Sequence, residues 1–175
     1  MKKEDVVRNV LIIMVGAGLF VALTEVRIPL ANNIALQIRM GLISFISAVL
    51  GPVIGGVVAV IGHAIGDQLF DNGIYWSWVV ADGVYGIIIG LFSAKYQITK
   101  RHFRKKEIGL FNVVQIIANV IAWIGVAPTL DILLMDKAPS FAYLQGVMAC
   151  STNVIVVAVL GTLLNYIYSV TFTGE

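Results

Sequence analysis

The sequence predicts an all-α integral membrane protein. One domain, residues 1–175, crosses the bilayer six times and keeps both termini in the cytoplasm. Three observations carry this: an apolar composition, long stretches without charge, and a lopsided placement of the basic residues. Of 175 residues, 59% are apolar and 13% charged, with a mean hydropathy of +0.92. A soluble domain has about 45–50% apolar and about 25% charged residues. It must also cover its outside with polar groups, and this chain has too few. A soluble enzyme, a nucleic-acid binder and a disordered chain are therefore excluded. The net charge of +2 is too small to attract nucleic acid. Cys150 is the one cysteine, so neither an intrachain disulfide nor a cysteine metal cluster can form.

The spans follow from the charge gaps. Residues 9–24, 108–130 and 138–174 carry no charge, Asp82 is alone in 72–94, and His63 is the one ionisable group between Met40 and Gly66. A span needs about 20 apolar residues. The run from Ile34 to Phe70 is too long for one helix. Gly51-Pro52 breaks it, because proline cannot continue the helical ladder and the residue before it avoids the helical region. The expected spans are 7–25, 36–50, 53–69, 75–94, 108–128 and 141–168. Nine basic residues then lie inside: Lys2, Lys3, Arg8, Lys95, Lys100, Arg101, Arg104, Lys105 and Lys106. Three lie outside: Arg27, Arg39 and Lys137. This is the asymmetry of the positive-inside rule. Lys2-Lys3 before an apolar stretch resembles the start of a signal peptide, but no small-x-small site follows, so an uncleaved first helix is expected.

Neither a Walker motif nor a glycine-rich phosphate loop is present, so uphill transport needs an ion gradient or partner subunits. Small residues recur four apart: Gly18 and Ala22, Gly51 and Gly55, Gly62 and Gly66, Gly86 and Gly90. Such pairs let helix backbones approach closely. The three later pairs suit packing within the bundle. Gly18 and Ala22 belong to a broad smooth patch with Gly16 and Ala17, which suits docking onto another membrane subunit as well as packing.

Polar residues inside spans are costly unless they face a cavity or a partner. His63 and Asp67 share a face of the third span. Trp78, Asp82 and Tyr85 share one on the fourth, and Gln115, Asn119 and Trp123 one on the fifth. Gln145 and Thr152 share a face of the sixth, with Asn153 beside them. All fall at comparable depth once helix direction is considered. Aromatic plates beside a few hydrogen-bonding groups suit a small, planar, polar ligand. Packing alternatives stand beside each: His63 and Asp67 neutralising one another, Trp76 and Trp78 as interfacial belt residues, Gln115 and Asn119 as interhelical glue. The segment 25–39, with Pro29, Asn32, Asn33 and Gln37, is long for a link and lies over this layer as a gate. No metal-ligand spacing occurs, and the other histidine, His102, lies in the basic cytoplasmic loop. The inner halves of the fourth and fifth spans, 87–91 and 110–114 apart from Asn112, are apolar, which favours a dead-end pocket over a channel. The expectation is one closed chamber reached from the extracytoplasmic face.

A capping loop, a short second helix, Gly51-Pro52-x-x-Gly55 and Gly62-His63-x-x-Gly66-Asp67 resemble the S components of energy-coupling factor (ECF) vitamin transporters. The likeness is densest from Ile38 to Tyr96. Gly62 to Asp67 and Trp76-Ser77-Trp78-Val79 are similar to the HmpT-like subgroup, whose members have been assigned to pyridoxine, hydroxymethylpyrimidine or riboflavin. The resemblance implies a multi-pass subunit of the bacterial cytoplasmic membrane. It would capture a water-soluble vitamin outside, without a cofactor of its own, and would not itself be an enzyme. It would join an EcfT-like transmembrane coupling protein and two cytosolic ATPase subunits, with Gly18 and Ala22 at the docking face. The expected ligand set is Asn33, Gln37, His63, Asp67, Trp78, Asp82, Tyr85, Gln115, Asn119, Trp123, Gln145, Thr152 and Asn153. Pyridoxine or hydroxymethylpyrimidine is the first ligand class and riboflavin the alternative. An integral-membrane enzyme built on His63, Asp67 and Asp82 is a more distant one.

Overall fold

A computed structural model describes residues 3–30, 35–71 and 73–171. The order of elements follows the apolar segments of the sequence. Helix α1 (Lys3–Ala22) starts with Glu4 and Asp5, acids that complement the positive end of the helix dipole. A small antiparallel hairpin follows, β1 (Arg27–Pro29) with β2 (Ala35–Gln37), in the register Arg27↔Gln37, Ile28↔Leu36 and Pro29↔Ala35. Helix α2 (Arg39–Leu50) stops at Gly51, whose φ of 87° suits glycine, and Pro52 opens α3 (Pro52–Phe70). The expected break is thus where the structure places it, since the missing proline N–H costs nothing in a first turn.

Helix α4 (Trp76–Leu91) leads to a short helix α5 (Ser93–Tyr96) and a 3₁₀ turn, Ile98–Lys100. Helix α6 (Lys105–Asn119) passes through a π-helical segment, Val120–Val126, into α7 (Ala127–Met135). Helix α8 (Pro139–Val156) continues through a second π-helical segment, Val157–Gly161, into α9 (Thr162–Thr171). The helix that holds the expected span 108–128 is longer than that span and runs on to Met135. Pro128 does not end it: the wider turn just before it relieves the steric and hydrogen-bonding conflict that proline creates.

Among the described residues, four helical segments are long and apolar enough to cross a bilayer: Lys3–Ala22, Pro52–Phe70, Lys105–Met135 and Pro139–Thr171. Helix α4 with the segment Ser93–Lys100, bent by 51°, makes a fifth. Helix α2 has 12 residues, which at 1.5 Å per residue reach about 18 Å, short of a hydrocarbon core of about 30 Å.

Phe20, Met40, Ile43, Val58, Tyr85, Ile89 and Phe111 are fully buried at the centre. Large apolar side chains also cover the outside. Leu11, Met14, Val15 and Leu19 are exposed on α1, as are Leu133 and Leu134 on α7. Water does not tolerate so continuous an apolar exterior; lipid does.

The later glycine pairs serve packing. An added Cβ on Gly62 would meet Phe20 at 2.8 Å, and one on Gly66 would meet Thr24 at 2.8 Å, so α1 lies directly on α3. A Cβ on Gly86 would meet the Gly55 carbonyl at 2.9 Å, and one on Gly90 would meet the Pro52 backbone at 2.4 Å. This close approach of α3 to α4 fixes the depth at which their polar side chains meet. Gly90→Ala should lower stability by about 1–3 kcal/mol through overpacking. Gly109→Ala, which meets open space, should be neutral or slightly stabilising. Thermal unfolding of the detergent-solubilised protein compares the two.

Candidate ligand-binding site

A cavity of about 700 Å³ opens at one end of the bundle, within the ~300–1,000 Å³ common for small-molecule sites. Helices α3 and α7 end there and α4 and α8 begin there, whereas the basic segment 95–106 lies at the opposite end. The hairpin supplies one side through Arg27, Pro29, Ala35 and Gln37. Phe70, Asp71, Tyr75 and Trp78 form a second wall, and Lys137, Phe141 and Gln145 a third. Arg39, His63 and Asp67 make the floor. Farther in, Ile43, Val58, Tyr85, Ile89 and Phe111 fill the space between the helices.

The floor is built from helix ends. Arg39 is the first residue of α2 and is only 4% exposed. Its Nε donates to Gln37 Oε1 at 2.6 Å and its Nη1 to the Thr24 hydroxyl at 3.4 Å. Its guanidinium carbon sits 4.9 Å from the Phe20 ring centre, a cation–π distance. Arg39 Nη2 lies 3.3 Å from His63 Nε2. His63 and Asp67, one turn apart on α3, approach to 3.1 Å, while His63 Nδ1 lies 2.6 Å from Asp82 Oδ2 on α4. The second Asp67 oxygen accepts the Tyr75 backbone N–H at 3.0 Å, at the mouth of α4. A carboxylate this deep holds its charge only with such donors around it.

Three further ion pairs, in two groups, frame the mouth. Arg27 Nη2 reaches Asp71 at 3.2 Å and Glu25 at 3.1 Å. Asp131 of α7, buried to 1% exposure, accepts from the Ser77 hydroxyl, from Trp78 Nε1 at 3.1 Å and from Lys137 Nζ at 2.9 Å. One carboxylate thus holds both the indole and the ammonium of the cavity wall. Trp123 backs Trp78, their ring centres 5.2 Å apart.

Of the expected ligand set, Gln37, His63, Asp67, Trp78 and Gln145 line this cavity. Asn33 lies outside the described residues. The others sit elsewhere. Asp82 and Tyr85 are fully buried beneath the floor, with Asp82 touching His63 from behind. Gln115 and Asn119 bond to each other at 3.0 Å, and Gln115 also reaches the Val154 carbonyl at 3.5 Å. Trp123 contributes only through its contact with Trp78. Thr152 is turned back onto its own helix, donating to the carbonyls of Met148 and Ala149. Asn153 is buried off the cavity. These groups share a depth with the site but not its surface, because helical periodicity places a residue on a face without saying what the face meets.

Arg39, Asp71, Asp131 and Lys137 are the site residues that periodicity missed. Arg39 and Lys137 had entered the sequence reading as outside charges, and that was their signal: a cation flanking a span at the depth of a polar layer. Asp131 lay hidden beyond the expected helix end at Pro128. Gly18 and Ala22 are both exposed, and nothing lies within 4 Å of where a Cβ on Gly18 would be. Among the described residues no cluster of His, Cys, Asp or Glu is arranged to hold a metal ion. The nitrogens of His63 face Asp82, Asp67 and Arg39.

Residues 5–169 match the family described as "ECF-type riboflavin transporter, S component". The chain is also similar to the UPF0397 protein of Streptococcus pneumoniae (strain Hungary19A-6), 34% identical over 174 residues, covering 99% of this chain and 96% of that one. The UPF0397 protein of Streptococcus pneumoniae serotype 19F (strain G54) gives the same identity and coverage. No solved structure gives a significant match.

Replacing Asp131 by Ala leaves the Ser77 hydroxyl, the Trp78 indole and the Lys137 ammonium without their shared acceptor. A loss of about 1–3 kcal/mol in stability is expected, with a shift in tryptophan emission as Trp78 is released. Thermal melting and fluorescence spectra of the Asp131→Ala protein check both.

Proposed function

The chain belongs to the ECF-type riboflavin transporter S component family, a family of substrate-binding subunits of ECF importers, and from that premise we propose that it captures a planar, polar vitamin in the cavity beneath its hairpin. The observation that carries the reading is the cavity itself. It is closed below by packed apolar side chains, walled by Trp78, Tyr75 and Phe141, and edged by cations and carboxylates that are already paired. Such a site binds a heteroaromatic ring by its faces and its polar edges.

In this reading both termini and the basic segment 95–106 are cytoplasmic, the chain crosses the membrane six times as one domain, and the cavity opens to the extracytoplasmic side. Riboflavin is the ligand that the family description suggests, and a cavity of about 700 Å³ has room for a fused ring system with a polyol tail. A single-ring ligand of the pyridoxine or hydroxymethylpyrimidine kind, as in the HmpT-like subgroup, is the second reading, favoured by the motifs at 62–67 and 76–79. Energy comes from partners: an EcfT-like coupling protein in the membrane and two cytosolic ATPases. Gly18 and Ala22, on the outward face of α1, are the proposed contact with the coupling protein, where smooth helix surfaces pack closely.

Mass spectrometry of small molecules retained by the purified protein, followed by calorimetric titration, tests the assignment. Riboflavin binding supports the first reading. Binding of pyridoxine or hydroxymethylpyrimidine instead moves the ligand to the single-ring class, and binding of none of the three removes the capture role. Trp78→Ala should weaken binding by roughly tenfold, the scale of one aromatic contact of about 1.4 kcal/mol, while Gln115→Ala should leave affinity nearly unchanged. Gly18→Leu combined with Ala22→Leu should reduce uptake in cells and spare binding by the isolated subunit. Intact assembly with the coupling module in that double variant would place the contact on another face.

A further inference from the structure

The cavity floor contains a ring nitrogen with two incompatible neighbours. His63 Nε2 is 3.3 Å from Arg39 Nη2 and 3.1 Å from Asp67 Oδ1, and Nδ1 faces Asp82 Oδ2 at 2.6 Å. A bare imidazole nitrogen accepts from a guanidinium, and a protonated one donates to a carboxylate; one atom cannot do both. With a proton on Nδ1 alone, Nε2 holds Arg39 and leaves Asp67 facing a lone pair. With both nitrogens protonated, Nε2 serves Asp67 and Arg39 Nη2 loses its acceptor.

The surroundings leave His63 as the group that changes. From α1 the Phe20 ring lies 6.2 Å away, centre to centre, and Thr24 reaches the cluster through Arg39. Helix α2 contributes Arg39, α3 Asp67 and α4 Asp82, with Tyr85 one turn further. Asp71 and Arg27, themselves paired, complete the charges that act on Arg39. Asp82 is fully buried and does not line the cavity. Its Oδ2 meets His63 at Nδ1, 2.6 Å away. Arg39 is already tied at Nε and Nη1 by neutral acceptors, which leaves Nη2 as the nitrogen whose partner depends on His63.

We propose that Asp82 is a positioning residue for ligand recognition, acting through His63 on Arg39, and that capture takes up one proton at His63. This rests on the reading that the cavity is the ligand site. An acceptor on the ligand, a ring carbonyl or ring nitrogen, takes the Nη2–H bond from His63. The freed Nε2 binds a proton from bulk water and donates it to Asp67, while Asp82 keeps the Nδ1 proton in place. Arg39 and the imidazolium then offset Asp67 and Asp82, so the recognised edge of the ligand is an uncharged acceptor; an anion would leave the buried cluster with surplus negative charge.

Calorimetry with riboflavin as the probe, on the full-length protein at one pH in two buffers of different ionisation enthalpy, reads the proton directly. Wild type should take up as much as about one proton per riboflavin, with affinity rising up to about tenfold for each unit of falling pH while free His63 is neutral. His63→Gln and Asp82→Asn should bind with proton uptake near zero. Binding by wild type with no proton exchange overturns the proposal. If riboflavin does not bind, the ligand assignment has failed, and a ligand-free measurement decides the relay. In a His102→Gln background His63 is the one histidine, so its ring ¹⁵N shifts titrate alone. Arg39→Gln, which removes the competing donor, should move the midpoint at which Nε2 gains its proton. An unchanged midpoint rejects the relay.

Discussion

A charge withdrawn from water must find its counter-charge within the protein, and at one end of this bundle that requirement decides where the chain goes. Arg39, His63, Asp67 and Asp82 come from the start of α2, the second half of α3 and the middle of α4, and none is more than 4% exposed. Each is costly alone. Together they pin three helices at one depth, and the Arg39 contacts to Gln37 and Thr24 add the hairpin and the end of α1. Asp131 repeats the solution on the far wall, joining α4 to α7 and to the turn before α8. The proposed ligand recognition and the helix placement therefore draw on the same side chains.

That convergence is possible because the helices below are so close. The Gly55–Gly86 and Gly90–Pro52 approaches bring α3 and α4 nearly to backbone contact. Dispersion between backbones then supplies what the hydrophobic effect cannot between helices in lipid. A bulkier interface would separate His63 from Asp82 and leave a fully buried carboxylate without its neighbouring imidazole. The smooth inner half of the bundle and the polar outer end are two aspects of one packing arrangement.

The break at Gly51-Pro52, the apolar segments and the small-residue seams were legible in the sequence, because each depends on local chemistry that does not change on folding. The hairpin was less so: a three-residue strand carries no usable periodicity, and it appeared only as a link too long for its task. Helix α7 was hidden because Pro128 reads as a stop unless a π turn precedes it. The site was half legible. His63, Asp67, Trp78 and Gln145 could be chosen from their faces, and Gln37 from the long link that carries it. Arg39, Lys137 and Asp131 required knowing which helix ends meet, which is tertiary information. Tyr85, Gln115, Asn119 and Asn153 were chosen by the same face rule, and the structure buries them away from the cavity, where interior polar side chains bond or pack among themselves.

The cross-strand pair Arg27↔Gln37 gives the hairpin a second property. Arg27 is anchored to Asp71 at the top of α3, and Gln37 is anchored to Arg39 on the floor. Two latches on facing positions of so small a ribbon cannot be opened one after the other without twisting it. In the proposed capture role, a hairpin that lifts to release its molecule would break an ion pair at the rim together with a part-buried bond below.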